Sequence, residues 1–309
     1  MKCVAIINPK SGRGFSSKHE ERIKKILSEY NYESKIIYTK KRGHATRIIK
    51  GLDNDVDLVI SMGGDGTFSE VMNGNLKREK PLVISHLPIG TMNDVGHMYG
   101  LVSNLYTNLK LILSGEVMDV DVGLINNHAF TYVASYGKFM EIPYQTPHEL
   151  KKRLGWLAYA VEVLKQIFNR IPKYRIEFLV DGEKHSGKYS FIIISNANHI
   201  AGVNNFYRDM KLDDSKIEIM LCSLYKKIDI VKAFYNLKTN HLQGVSGVEV
   251  YKCSSFQVKF LDKVKPWCVD GEQFKDNVKT YKISILKNIK MRLPKKNLNK
   301  LFLNYNNKK

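Results

Sequence analysis

The chain is short of cysteine, of long apolar runs and of acidic side chains, and each shortage excludes a class of protein. Cys3, Cys222, Cys253 and Cys268 are the only cysteines in 309 residues, and no two form a C-x-x-C pair. Neither a zinc knuckle nor a dense disulfide framework is therefore indicated, and the four are expected as reduced, partly buried thiols. No stretch reaches the apolar length of a bilayer span. The run at 3–7 (CVAII) is too short for the core of a secretion signal and is followed at once by Pro9 and charged residues. The expectation is a cytoplasmic protein that meets membranes only peripherally, at the inner face. The nine histidines show no H-E-x-x-H or comparable metal spacing, so His44, His86 and His97 are expected on the surface or in loops.

Acidic residues number 30 against 49 Lys and Arg, leaving a net charge of +19. That exceeds what solubility needs and points to an anionic partner, although a Lys- and Asn-rich genome is a blander source of the same excess. Nucleic acid is the less favoured partner, because the basic residues are scattered and no zinc-finger spacing, RNP-type motif or recognition helix accompanies them. A negatively charged membrane surface fits the charge.

Residues 3–7 form a short apolar run that breaks at 8–14 (NPKSGRG), and Ile23, Ile26, Leu27 and Tyr30 follow at helical spacing. The same alternation returns with strand-like 34–38, helical 44–51, apolar 58–62, a glycine turn at 63–66 opening a further helix, and strand-like 82–87 ending at Pro88-Ile89-Gly90. Strands that are apolar throughout, alternating with helices, describe a parallel sheet covered on both faces, hence a doubly wound α/β domain. After Gly115 the character changes. Segments 117–122, 129–134, 175–180, 189–195, 217–223, 248–253, 256–260 and 279–286 are rich in β-branched and aromatic residues and suggest an antiparallel sandwich or barrel. A helical block at 149–171 interrupts them, and a second helix is expected near 228–239. Pro266-Trp267 and Asp270-Gly271 mark turns. The tail at 287–309, with Leu293, Leu298, Leu301, Phe302 and Tyr305 among basic residues, has the pattern of a basic amphipathic helix that either lies on a membrane or packs back on the first domain.

The strongest chemical signal is 61–71 (SMGGDGTFSEV), placed between an apolar strand and a helix. Glycines there let backbone N–H groups approach phosphate oxygens, and a helix N-terminus adds partial positive charge. A carboxylate in such a loop, Asp65, suggests a magnesium partner, since a metal offsets its repulsion with a triphosphate. The plainer alternative is a tight turn with Asp65 as a helix cap. Two further loops, at 8–14 and 90–94 (GTMND), weigh against it, because loops at the carboxyl ends of parallel strands converge on one edge. None matches the P-loop or the Rossmann fingerprint, so the nucleotide is held by another scheme.

In order along the chain, N-P-K-S-G from Asn8, T-K-K-R-G-H-A from Thr39, G-G-D-G-T-x-x-E-V, L-P-I-G-T-M-N-D and V-D-G-E from Val269 resemble the bacterial soluble diacylglycerol kinase family, which includes the YegS-like lipid kinases. Segments 151–159 (KKRLGWLAY) and 211–219 (KLDDSKIEI) extend the resemblance through nearly the whole chain. The G-G-D-G-T element alone is shared with NAD kinases and phosphofructokinases; the ordered set is more specific.

The resemblance implies a two-domain lipid kinase architecture, with an α/β nucleotide domain at 1–121 and a β-sandwich at 122–286 that takes the lipid, the site lying in the cleft between them. Carried over by motif, Asn8, Pro9, Lys10, Ser11, Gly12, Thr39, Gly64, Asp65, Gly66, Thr67, Phe68, Ser69, Glu70 and Thr91 contact ATP. Asp65 and Asp94 hold the catalytic Mg2+, and Glu272 is the base. For Glu272 the residues alone leave a surface hairpin equally open, because Asp-Gly is a common turn. Lys211, Asp214 and Lys216 resemble a second, structural magnesium site, with Asp214 giving its carboxylate and the two lysines their carbonyls. A solvated acidic turn is the alternative there. Ser215 stands where that family has Gly, Arg208-Asp209-Met210 where it has Pro-x-Ala, Ser69 where Asn is usual, and Val95-Gly96 in place of Phe-Ala.

The expected activity is transfer of the ATP γ-phosphate to a lipid hydroxyl, diacylglycerol first. Another lipid acceptor (a sphingoid base, ceramide, undecaprenol or phosphatidylglycerol) and a non-catalytic, membrane-docking nucleotide binder are the rivals. Trp156, Tyr159 and the leucines of 149–171 either line a lipid entrance or pack on the sandwich, and Lys151, Lys152 and Arg153 are placed to meet anionic headgroups. The exposed edges of a sandwich make a homodimer an expectation.

Overall fold

The chain is described by a computed structural model over residues 1–12, 15–138, 142, 171–200, 203, 204, 207, 209–226, 228–230, 232, 236, 245–303 and 305. The expected helix at 149–171, with Lys151, Lys152, Arg153, Trp156 and Tyr159, falls outside the described residues up to 170, as do Arg13, Gly14, Arg208 and most of the expected helix at 228–239. Two compact units divide the chain: Met1–Asp121 with Lys211–Asp214 and Lys287–Lys309, and Val122–Met210 with Ser215–Leu286.

In the first unit, strands β1 (Lys2–Ile7), β2 (Glu33–Tyr38), β3 (Leu58–Gly63) and β4 (Ile84–Pro88) pair in parallel in the order β2-β1-β3-β4. Both faces of β3 are covered, since all six of its residues are buried, which is why its sequence does not alternate. Helices α1 (Ser17–Glu29), α2 (His44–Lys50) and α3 (Asp65–Asn75) make the crossovers. In α1 the helical spacing of Ile23, Ile26 and Leu27 places all three in the core. Helices α4 (Asp94–Met98) and α5 (Leu105–Leu113) follow β4. The side chain of Asn104 caps α5 by accepting from the N–H groups of Tyr106 and Thr107.

Strand β5 (Glu116–Ile125) leads out of this unit and β18 (Thr280–Leu293) leads back into it, setting Met291 beside Ile84 in parallel. The tail differs from the expected basic amphipathic helix. Residues 287–293 continue β18, and only Leu298–Leu301 are helical. Leu293, Leu298, Leu301 and Phe302 are buried, so the apolar positions serve the core of this unit.

The second unit is antiparallel. One sheet joins the first half of β18 to β15 (Phe256–Phe260), β8 (Tyr174–Val180) and β9 (Glu183–Tyr189). The other runs β14-β13-β10-β7-β16-β17, with β7 at Val133–Gly137, β10 at Phe191–Ser195, β13 at Ile217–Cys222, β14 at Val248–Cys253, β16 at Trp267–Val269 and β17 at Glu272–Phe274. A separate short pair, β11 (His199–Ile200) and β12 (Val203–Asn204), falls between β10 and β13 in the chain. Ile192, Ile194, Ile219 and Leu221 from the second sheet meet Ile176, Phe178, Phe256 and Val258 from the first in one apolar cluster, closed by Trp267 and Tyr281. Alternate inward residues from two sheets make this a β-sandwich core.

The expected strand at 129–134 is two strands, β6 (His128–Phe130) and β7, with a break between them. The break has a cause: the N–H groups of Thr131, Tyr132 and Val133 turn to the carboxylate of Asp270 instead of joining one continuous ladder. Strands β9, which carries no apolar run, and β16 and β17, of three residues each, are visible only in the structure.

Candidate active site

The carboxyl ends of β1, β3 and β4 lie side by side, so the loops that leave them are neighbours. Asn8 donates from its backbone N–H to the Met62 carbonyl at 2.9 Å and from Nδ2 to Thr67 Oγ1 at 3.2 Å. Its Oδ1 accepts from Lys10 N–H at 3.1 Å, which folds the first loop back on itself. Gly12 sits at φ +60, and a Cβ there would lie 2.2 Å from the Ile89 carbonyl oxygen. A Cβ on Gly90 would lie 2.7 Å from the Cα of Gly64. Only glycine permits that approach of backbone to backbone. Asn93 closes the third loop, its Oδ1 accepting from Gly90 N–H and its Nδ2 donating to the Gly90 carbonyl. Thr39 joins from the end of β2, its N–H donating to the Ile7 carbonyl at 2.8 Å.

The side chains of the glycine loop divide by role. Helix α3 begins at Asp65, directly after Gly64, so its N-terminus lies at the sheet edge, where the N–H groups of Thr67 and Phe68 donate to the Gly64 carbonyl at 2.9 and 3.2 Å. Thr67 and Phe68 are buried; Phe68 stacks on His86 at 4.8 Å between ring centroids, so its ring belongs to the core and only its backbone is available to a ligand. Thr91 is exposed. Both oxygens of Glu70 are taken by the second crossover: Oε1 accepts from Gly43 N–H at 2.6 Å and Oε2 from Ala45 N–H at 3.1 Å. Thr46 Oγ1 adds a bond to the Glu70 carbonyl. Glu70 therefore fixes the loop that follows Thr39.

Asp65 does the same for α4, accepting from Asp94 N–H at 3.1 Å and Val95 N–H at 3.2 Å. It caps a helix whose first residue, Asp94, is itself buried. Asp65 and Asp94 are hard oxygen donors on adjoining loops, and such donors suit Mg2+, which needs only one or two protein carboxylates. Among the described residues no group of three His, Cys, Asp or Glu side chains forms a cation cage. The sequence places His86 on the surface or in a loop, yet it is fully buried in β4, with Nε2 3.9 Å from Asp65 Oδ1. Burial pushes its pKa down to about 3, against a weaker upward pull from the Ser61 backbone, so the imidazole beside Asp65 is neutral.

In the second unit Asp270 and Gly271, at φ +48 and +80, form the two-residue turn between β16 and β17. The D-G-E element is thus a hairpin, with Glu272 exposed on its outgoing strand and paired across it to Val269. Asp270 is buried. Burial pushes its carboxyl above the usual range, while bonds from Thr131, Tyr132 and Val133 hold it back. The loop at 211–214 is tied to the tail: Lys211 Nζ donates to the Lys300 carbonyl at 2.7 Å, and Asp213 Oδ1 accepts from Leu303 N–H at 2.9 Å. Asp214 is half-buried. Ser215 holds φ +59, a conformation that favours glycine. Asn93, Asp270 and His86 were not among the expected site residues. Asn93 lay within the quoted motif, whereas nothing in the sequence around His86 marks it as buried.

Glycine loops that meet at one sheet edge beside acidic residues are the equipment of phosphotransferases. Known proteins narrow the class. Residues 2–125 match the diacylglycerol kinase catalytic domain. A diacylglycerol kinase of Staphylococcus haemolyticus is 31% identical over 225 residues, 71% of this chain and 67% of that protein. One from Bacillus subtilis is 28% identical over 77% of this chain and 78% of its own length. A crystal structure of diacylglycerol kinase from Bacillus anthracis superposes with a TM-score of 0.76 at 24% identity, over 94% of this chain and 96% of that one, and so shares its fold. The chain belongs to the diacylglycerol kinase family: it is a lipid kinase, a transferase that moves phosphate to an alcohol.

Proposed function

We propose that this kinase transfers the γ-phosphate of ATP to the free hydroxyl of diacylglycerol, giving phosphatidic acid and ADP. The observation that carries the phosphate side is the meeting of the three loops, with Gly12 against Ile89 and Gly90 against Gly64. In this reading the start of α3 and the loops at 8–12 and 90–93 line the triphosphate, the N–H groups of Asn8, Lys10 and Gly90 being engaged within the protein itself. Asp65 and Asp94 hold Mg2+, which when bound neutralises charge on the phosphate oxygens. Glu70 keeps the Thr39 loop in place beside the nucleotide. Glu272 accepts the proton of the lipid hydroxyl as the O–P bond forms; the bridging β–γ P–O bond breaks and ADP leaves with that electron pair. A carboxylate is competent for this when it reaches the hydroxyl directly. A second, structural Mg2+ at Asp214, with the carbonyls of Lys211 and Lys216, belongs to the same reading.

The net charge of +19 supports work at an anionic membrane surface. No described helix is long and apolar enough to cross a bilayer, which fits peripheral binding at the inner face. A homodimer belongs to this reading through the exposed sheet edges.

Labelled ATP and Mg2+ with mixed micelles of diacylglycerol, a sphingoid base, ceramide, undecaprenol or phosphatidylglycerol test the acceptor, with Glu272→Ala and Asp65→Ala beside the unaltered enzyme. Label in phosphatidic acid that both substitutions reduce at least roughly 100-fold is the expected result. Preferred labelling of another lipid replaces the acceptor, and an unimpaired Glu272→Ala removes the base.

A further inference from the structure

We infer that Asp270 is a positioning residue for the reaction, setting the place of Glu272 by clamping the hairpin that carries it; this rests on Glu272 being the base. The two residues are separated only by Gly271, and the turn between them is the tightest that joins antiparallel strands. Type I′ geometry by itself asks only for residues that accept positive φ, which asparagine does as readily as aspartate. A buried charge is not needed for the turn.

What the charge does is visible in its partners. Oδ2 of Asp270 accepts from Thr131 N–H at 2.8 Å and from Thr131 Oγ1 at 2.9 Å. Oδ1 accepts from Tyr132 N–H at 3.1 Å and from Val133 N–H at 3.3 Å. A fifth bond runs from the Asp270 N–H to the Val133 carbonyl at 2.9 Å. Three successive backbone donors and a hydroxyl therefore converge on one carboxylate that is 3% exposed. Donors so arranged suit an acceptor with no hydrogen of its own, and an amide in its place would turn N–H against N–H. The tip of the hairpin is fixed to the start of β7, and Glu272, an exposed residue, follows one residue beyond Gly271. The place of its Cα is thereby held by a neighbour's buried bonds. A base displaced by an ångström loses roughly 100-fold in rate while substrate binding elsewhere is untouched.

The test compares Thr131→Val, Asp270→Asn, Glu272→Gln and the double variant Asp270→Asn with Glu272→Gln in the micelle assay, with kcat and KM for ATP measured separately. Asp270→Asn is expected to lower kcat by roughly 10- to 100-fold, and Thr131→Val, which loses one bond of the clamp, by a few-fold, both with KM for ATP within about twofold. Because Asp270 acts through Glu272, adding Asp270→Asn to Glu272→Gln is expected to cost nothing more. Unchanged kcat in both single variants overturns the inference. So does an equal fractional loss with and without Glu272, the mark of a merely structural residue. If Asp270→Asn fails to fold, Thr131→Val alone and combined with Glu272→Gln carries the same comparison. Full kcat in Glu272→Gln removes the base itself, a failure distinct from that of the clamp.

Discussion

His86 shows how one misplaced polarity shapes the acid behaviour of the phosphate-binding unit. Its imidazole is enclosed against Phe68 and stays neutral down to about pH 3, whereas in the unfolded chain it takes a proton near 6.5. Between those values the unfolded state binds more protons, so stability rises with pH and falls on acidification, at up to about 1.4 kcal/mol per pH unit. The unfolding free energy of the magnesium-free protein, read from urea titrations, is expected to drop between pH 7 and pH 5, and His86→Leu to reduce that drop by about 2 kcal/mol. An identical pH dependence in both proteins excludes His86 as its source. Carboxylates show a second residue-scale lesson. Glu70 and Asp65 sit in one glycine motif, yet Glu70 holds the N–H groups of Gly43 and Ala45 while Asp65 holds those of Asp94 and Val95. The motif anchors its neighbouring loops as well as opening its own helix.

At the scale of elements, the tail is a structural part of the first unit. Leu298, Leu301 and Phe302 are at most 2% exposed, and the backbone of Leu301 accepts from Leu212 N–H at 2.8 Å. Leu301→Ala is expected to destabilise the protein by about 2–5 kcal/mol, the range for emptying a buried leucine site, read as a lower urea midpoint. A loss under about 0.5 kcal/mol marks the tail as peripheral. The tail also shows where sequence patterns stop informing. Its apolar residues match a helical stripe, but Leu293 closes a strand, and nothing local records that β4 stands ready to pair with that strand. Strands β1, β3 and β4 were legible because burial on both faces leaves an uninterrupted apolar run. Strand β9, EKHSGKY, is a sheet edge whose exposed positions are charged, and β16 and β17 are three residues each, so neither periodicity nor length betrays them. Of the candidate site, loop positions were legible from glycine spacing. The burial of Asp270, His86 and Phe68 was not, because it arises from residues far away in the chain.

At the scale of the whole molecule, the four cysteines report on the two units separately. Cys3 lies in β1 of the first unit; Cys222, Cys253 and Cys268 lie in the second. All are free and buried, and burial pushes the thiols of Cys3, Cys253 and Cys268 up to about 12 and that of Cys222 higher still. Alkylation therefore needs an opening of the unit that holds each thiol, both to admit the reagent and to restore an ordinary thiolate fraction. A ligand bound to one unit lowers the open population of that unit by the factor 1 + [L]/Kd, about 100-fold at a hundred times Kd. With Mg2+ and ATP present, labelling of Cys3 followed by mass spectrometry is expected to slow by up to about 100-fold, while the three thiols of the sandwich keep their rates. Equal slowing at all four means that the units open as one. No slowing at Cys3 means that the nucleotide is held elsewhere than at the edge formed by β1, β3 and β4.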